Sequence, residues 1–71
     1  MTATLSLWTI YDHPLDYPEY FVAREFHLDK PTMNVLIANS LEELREVFRR
    51  AGMLPIPRDP SDDPVIVETW L

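Results

Sequence analysis

The stretch Ser40–Gly52, SLEELREVFRRAG, constrains this chain more than any other. Leu41, Leu44, Val47, Phe48 and Ala51 recur at helical spacing and share one face, while Glu42, Glu43, Glu46, Arg49 and Arg50 fill the remainder. Ser40 is placed as an N-cap, its hydroxyl accepting from a free N–H of the first turn. Glu43 stands at the capping-box spacing, from which its carboxylate reaches back to the N–H of Ser40. Acids in the first turn and arginines in the last follow the helix dipole. Gly52 suits the left-handed position past the end, and Pro55 prevents continuation. A helix this short is marginal alone in water, so its apolar stripe must be covered. That requirement favours a packed stripe with a solvated charged face over an exposed recognition helix. The rest of the chain has to supply the cover.

Seventy-one residues make one domain, 1–71, near the lower limit for unaided folding. Ordering such a chain costs on the order of 100 kcal/mol, so either the core is dense or a partner subunit completes it. A hydrophobic fraction of 46% is too high for disorder despite the net charge of −6. No cysteine is present, which excludes a disulfide scaffold and a thiolate zinc site. No apolar run approaches membrane-spanning length, and no basic segment precedes the first apolar stretch. The expectation is a soluble, cytoplasmic protein. Twelve acids against six basic residues disfavour direct nucleic-acid binding, which calls for a basic surface.

Around the helix the chain reads as strands. Residues 5–11, LSLWTIY, place Trp8 and Ile10 on one face and Leu5, Leu7 and Tyr11 on the other. Both faces are apolar, as in a central strand. Residues 20–28, YFVAREFHL, form a second strand, with Val22, Arg24, Phe26 and Leu28 opposite Phe21, Ala23, Glu25 and His27. Asp29–Thr32 is a short connection to a third strand over 33–38, so an antiparallel hairpin is the economical reading. Residues 65–70, VIVETW, form the last strand, with Ile66, Glu68 and Trp70 on one face. The expected fold is α+β in the order β-β-β-α-β: a four-stranded, mostly antiparallel sheet with one helix, about 40–51, on one face. Strands flanking the helix suit a right-handed parallel crossover.

Two proline-rich loops interrupt this pattern. In DHPLDYPE (12–19), His13 lies among Asp12 and Asp16, a pattern open to metal or acid–base chemistry. Adjacent residues usually point apart, however, and Pro14 and Pro18 account for the segment as a turn. In MLPIPRDPSDDP (53–64) four prolines exclude regular structure on this reading. Asp59, Asp62 and Asp63 invite a calcium reading, but the segment lacks the glycine and distal glutamate of a calcium loop. Turn building is the alternative, with Asp59 and Ser61 capping N–H groups and Arg58 pairing with Asp62 or Asp63.

LWTIYDHPLDYPEYFVAREF (7–26) and IPRDPSDDPVIVETWL (56–71), with the capped helix between them, resemble a group of short, uncharacterised bacterial proteins. The resemblance spans most of the chain and implies a shared fold in a bacterial cytoplasmic setting. It brings no catalytic or binding residue with it.

Three function classes remain. A protein-interaction module or homodimer would use a sheet face left uncovered by the single helix, with at least one of Trp8 and Trp70 on it and Asp59, Asp62 and Asp63 as an acidic rim; the alternative is that the tryptophans pack under the proline loops. An acidic decoy for a basic or nucleic-acid-binding site would need the two acidic loops to be neighbours, with Asp12, Asp16 and Glu19 beside Asp59, Asp62 and Asp63. A small enzyme or ligand-binding protein would rest on His13 or His27 with a carboxylate. A single glycine rules out a glycine-rich phosphate loop, and no serine has a nucleophile-elbow context. No cofactor, metal site or catalytic residue is assigned.

Overall fold

The computed structural model describes residues 6–28 and 30–71. Leu5 and Asp29, assigned above to the first strand and the hairpin connection, lie outside them. The order is β1 (Ser6–Asp12), β2 (Phe21–His27), β3 (Lys30–Ala38), α1 (Leu41–Arg50), β4 (Pro55–Pro57) and β5 (Ile66–Trp70). The strands form one sheet in the order β3-β2-β1-β5-β4, and every neighbouring pair is antiparallel. The α+β class, the central position of β1 and the β2–β3 hairpin follow the sequence reading.

Three details of that reading change. The sheet has five strands, because Pro55-Ile56-Pro57 pairs with β5. Leu54 and Leu71 exchange two backbone bonds, 2.7 and 3.0 Å, so alternation makes Ile56 and Thr69 the next exchanging pair. Both prolines then occupy positions that owe the ladder no N–H, on an edge strand where proline is tolerated. Second, β5 is antiparallel to β1, and so to β3 as well. The strand that runs parallel to β3 after the helix is β4, at the opposite edge of the sheet. Third, β3 begins at Lys30, which pairs with His27, and Pro31 lies inside an edge strand. Leu28 takes φ of 60°, the sign that tight hairpin turns require.

The helix forms as its caps direct. The Ser40 hydroxyl accepts from the Glu43 N–H at 3.3 Å. The Glu43 carboxylate reaches one residue further back than the capping box, accepting from Asn39 N–H at 3.2 Å. At the other end Met53 N–H bonds the Phe48 carbonyl and Gly52 N–H bonds that of Arg49, a Schellman closure with Gly52 at φ 79°. The buried stripe is narrower than expected: Leu44 and Phe48 are buried and Leu41 packs beside them, while Val47 is 50% exposed and Ala51 is exposed. Phe48 wedges between Trp8 and Trp70, with ring centroids 5.6 and 5.8 Å away. The two tryptophans are a cross-strand pair on β1 and β5, and with Ile10, Ala23 and Ala38 they form the floor under the helix.

Candidate interaction surface

Alternation from the buried Ile10 and Ala23 divides the sheet into two faces. The helix covers one. The other carries Leu7, Thr9 and Tyr11 of β1, Val22, Arg24 and Phe26 of β2, Val35 and Ile37 of β3, Thr69 of β5 and Ile56 of β4. Among the described residues no helix lies over it. Thr9 and Thr69 meet at 3.3 Å near its middle, and Ile37 and Ile56 at its margins are 46% and 45% exposed.

One end of this face has a partial lid. The connection 13–20 folds back so that Asp16 pairs with Arg24, whose guanidinium lies 5.9 Å from the Tyr11 ring centre and 6.0 Å from that of Tyr17. Val22 points away from the helix and stands outside the helix-side cluster, yet it is fully buried. Burial also pushes the Tyr11 hydroxyl above its ordinary pKa, partly opposed by the Arg24 charge. Around Leu7, Phe26 and Thr69 the face is half-buried, and Ile56 at its margin is exposed.

The two tryptophans expected on the uncovered face sit on the covered one. Trp70 is buried and Trp8 packs on Phe48, because both share a face with Ile10, which the helix covers. Aliphatic and threonine side chains take their place on the open face.

The acidic loops do meet. Asp12 N–H donates to the Val65 carbonyl at 2.8 Å, fastening the root of the first loop to that of the second. Asp12, Asp16 and Glu19 therefore stand at the same end of the sheet as Asp59, Asp62 and Asp63, all exposed. The carboxylates of the second loop build turns. Asp59 accepts from both the N–H and the hydroxyl of Ser61, which hold its carboxyl below the ordinary range. Asp62 accepts from Asp59 N–H and Asp63 from Val65 N–H. Arg58 reaches the carbonyls of Asp59 and Asp62 at 3.4 Å rather than a carboxylate.

The histidines lie at opposite ends of β2. His13, at φ 49°, turns its ring back so that Nδ1 meets Asp12, and it packs edge-on against Phe21 at 4.9 Å. The left-handed backbone is what allows neighbours in sequence to meet side by side. His27 Nε2 lies 3.5 Å from Glu25. Glu25 is engaged elsewhere: the Asn34 amide at 2.8 Å and the Thr32 hydroxyl at 3.0 Å hold its carboxyl below the usual range. Thr32, Met33 and Asn34 stand opposite Glu25 alone, a bulge organised around that carboxylate. Among the described residues no three His, Asp or Glu side chains gather as a metal site.

A second polar assembly was not anticipated. Glu68, 8% exposed, accepts from Arg45 Nη2 at 2.8 Å and Nε at 3.1 Å, and from the Trp70 indole at 2.6 Å. Burial pushes its pKa up, but the Arg45 and Trp70 hydrogen bonds and the charges of Arg45 and Arg49 outweigh this and leave it below the ordinary value. The sequence held half of the signal, since Glu68 shares a strand face with Trp70. It did not hold the other half, because Arg45 belongs to the helix surface until the helix is docked. A shallow groove of ≈ 370 Å³ lies beside this pair, bounded by Arg49, Met53, Leu54 and Pro55. Every buried side-chain polar atom among the described residues has a partner, and the Arg45–Glu68 pair ties α1 to β5.

In comparisons with known proteins, no family model, no curated protein and no solved structure matches this chain.

Proposed function

We propose that this chain is a small protein-recognition module that reads its partner with the open sheet face, flanked by the acidic end. The carrying observation is that among the described residues one helix serves a five-stranded sheet, so half-exposed apolar side chains such as Ile37 and Ile56 remain on the other side. A face of this composition, with one arginine already paired to Asp16, suits burial against an apolar protein surface. Carboxylates at one end favour a partner with a basic margin. A bacterial cytoplasmic setting and kinship with the short uncharacterised proteins resembled above belong to the same proposal. No helix among the described residues is long and apolar enough to cross a membrane.

The test is photo-crosslinking in the cell that makes the protein, with the photoreactive residue at Ile56 on the open face or at Arg49 on the outer helix. Crosslinks to one protein from position 56 and none from position 49 support the reading. Equal crosslinking from both, or from position 49 alone, defeats it.

The hydrogen bond between Asp12 and Val65 favours a second reading, an acidic decoy, because it places both acidic loops at one end of the molecule. In that case Asp62→Asn/Asp63→Asn abolishes partner binding, and binding weakens steeply with salt. Binding that survives both is incompatible with mimicry.

A further inference from the structure

Val22 is fully buried, yet it stands on the face opposite α1 and outside the cluster beneath the helix. Its cover comes from the connection 13–20. That segment sets Asp16 and Tyr17 against Arg24, two residues further along the same face, and buries its own Pro14.

The cover is fastened by side chains. Its main-chain bonds run within the connection or close its root: Tyr17 N–H to the Pro14 carbonyl at 2.9 Å, Tyr20 N–H to that of Tyr17 at 3.2 Å, and His13 N–H to that of Tyr20 at 3.1 Å. Among the described residues no backbone bond joins it to the strand surface beneath. The segment therefore carries its own turns and lifts as a unit without breaking the ladder. Holding it down are the Asp16–Arg24 pair, whose side chains are 55% and 30% exposed, and the contacts of the guanidinium with the Tyr11 and Tyr17 rings. An ion pair this open to solvent is weak. Loops held by few such contacts open locally at far lower cost than the core unfolds. The outside of the segment presents Leu15, fully exposed.

We propose that the connection 13–20 is a latched lid on the open face: Asp16–Arg24 is the latch, and its release uncovers Val22 and the Tyr11 ring. On the recognition reading above, from which this follows, the apolar face reaches its full length only once the lid is lifted. The chemistry of the partner that lifts it is set by the latch. A cation at the partner's margin competes with Arg24 for Asp16, and Leu15 offers an apolar side chain to the same incoming surface.

Thiol protection in the isolated chain tests it. No cysteine is present, so one engineered thiol reports alone. Val22→Cys is shielded while the lid is shut, and its rate of alkylation by iodoacetamide measures opening. Asp16→Asn weakens the latch and is expected to speed alkylation about two- to fivefold. Ser40→Ala weakens the helix cap and with it global stability, but not the lid, and is expected to leave the rate unchanged. Acceleration by Ser40→Ala overturns the proposal, because the thiol is then reached through global unfolding. Indifference to Asp16→Asn overturns it too, because the lid is then not held by this pair. Should Val22→Cys fail to fold, Pro14→Cys, buried in the lid itself, reads the same event by the same criteria. No partner takes part, so a lid that stays shut leaves the recognition reading standing, and absent crosslinks from Ile56 leave the lid standing.

Discussion

Arg45→Met tests the energetics of the helix–sheet joint. Glu68 is 8% exposed, and three of its hydrogen bonds come from Arg45 and Trp70; the substitution removes two of them and the neutralising charge. Breaking a buried pair by removing one partner costs about 3–5 kcal/mol, and the one-third exposure of the Arg45 side chain puts this case near the lower end, about 3 kcal/mol. At about 0.05–0.15 kcal/mol per residue, a chain of this length has about 4–11 kcal/mol in total. The loss is therefore a large fraction of the whole. The pH dependence gives a sharper signature. In the wild type Glu68 titrates below its unfolded value of about 4.3, so its contribution is present above that pH and lost as pH falls through the folded value. In Arg45→Met burial is opposed only by the Trp70 hydrogen bond and the Arg49 charge and raises the folded value above the unfolded one, so the variant gains stability as pH falls toward that unfolded value. Urea unfolding followed by tryptophan emission reads both effects. A variant within about 0.5 kcal/mol of wild type at neutral pH, with no gain on acidification, would refute the reasoning.

Further predictions follow from single contacts. Phe48→Ala removes the ring between Trp8 and Trp70 and should lower the unfolding free energy in urea by about 3–5 kcal/mol. Ser40→Ala deletes the N-cap acceptor and should lower stability by about 1 kcal/mol in urea unfolding. Gly52→Ala meets nothing within 4 Å, so its cost is backbone strain at φ 79°, about 1 kcal/mol in the same assay. Asp59→Ala should loosen the Asp59–Ser61 turn, seen as faster amide exchange at Ser61, with core amides unchanged.

The helix was legible residue by residue because its signals are local: a cap, a 3.6-residue stripe, a glycine past the end. Strand existence was legible too, and alternation correctly joined Trp8 to Ile10 and Glu68 to Trp70. What escaped was anything decided by pairing. Nothing local says that β5 turns to β1, and that choice is what puts Trp8, Trp70 and Phe48 in one cluster and removes both tryptophans from the open face. The β4 strand escaped because proline counts against a ladder until its phase is known. Val47 and Ala51 fit the stripe by spacing, yet the helix is docked with Leu44 and Phe48 down, leaving them at its flank. The Asp12–His13 contact depends on a left-handed histidine, for which residue type gives little warning.

The central claim is that the open sheet face, and not the helix or the acidic end, receives a protein partner. The most direct measurement compares crosslinking yield from Ile56 in the wild-type background with that in Thr69→Lys, which plants a charge beside it on the same face. The account predicts one crosslinked protein from position 56, lost with the Thr69 substitution and retained in Asp62→Asn/Asp63→Asn. A crosslink indifferent to Thr69→Lys, or one lost only with the aspartate substitutions, would contradict it and place recognition on the acidic end.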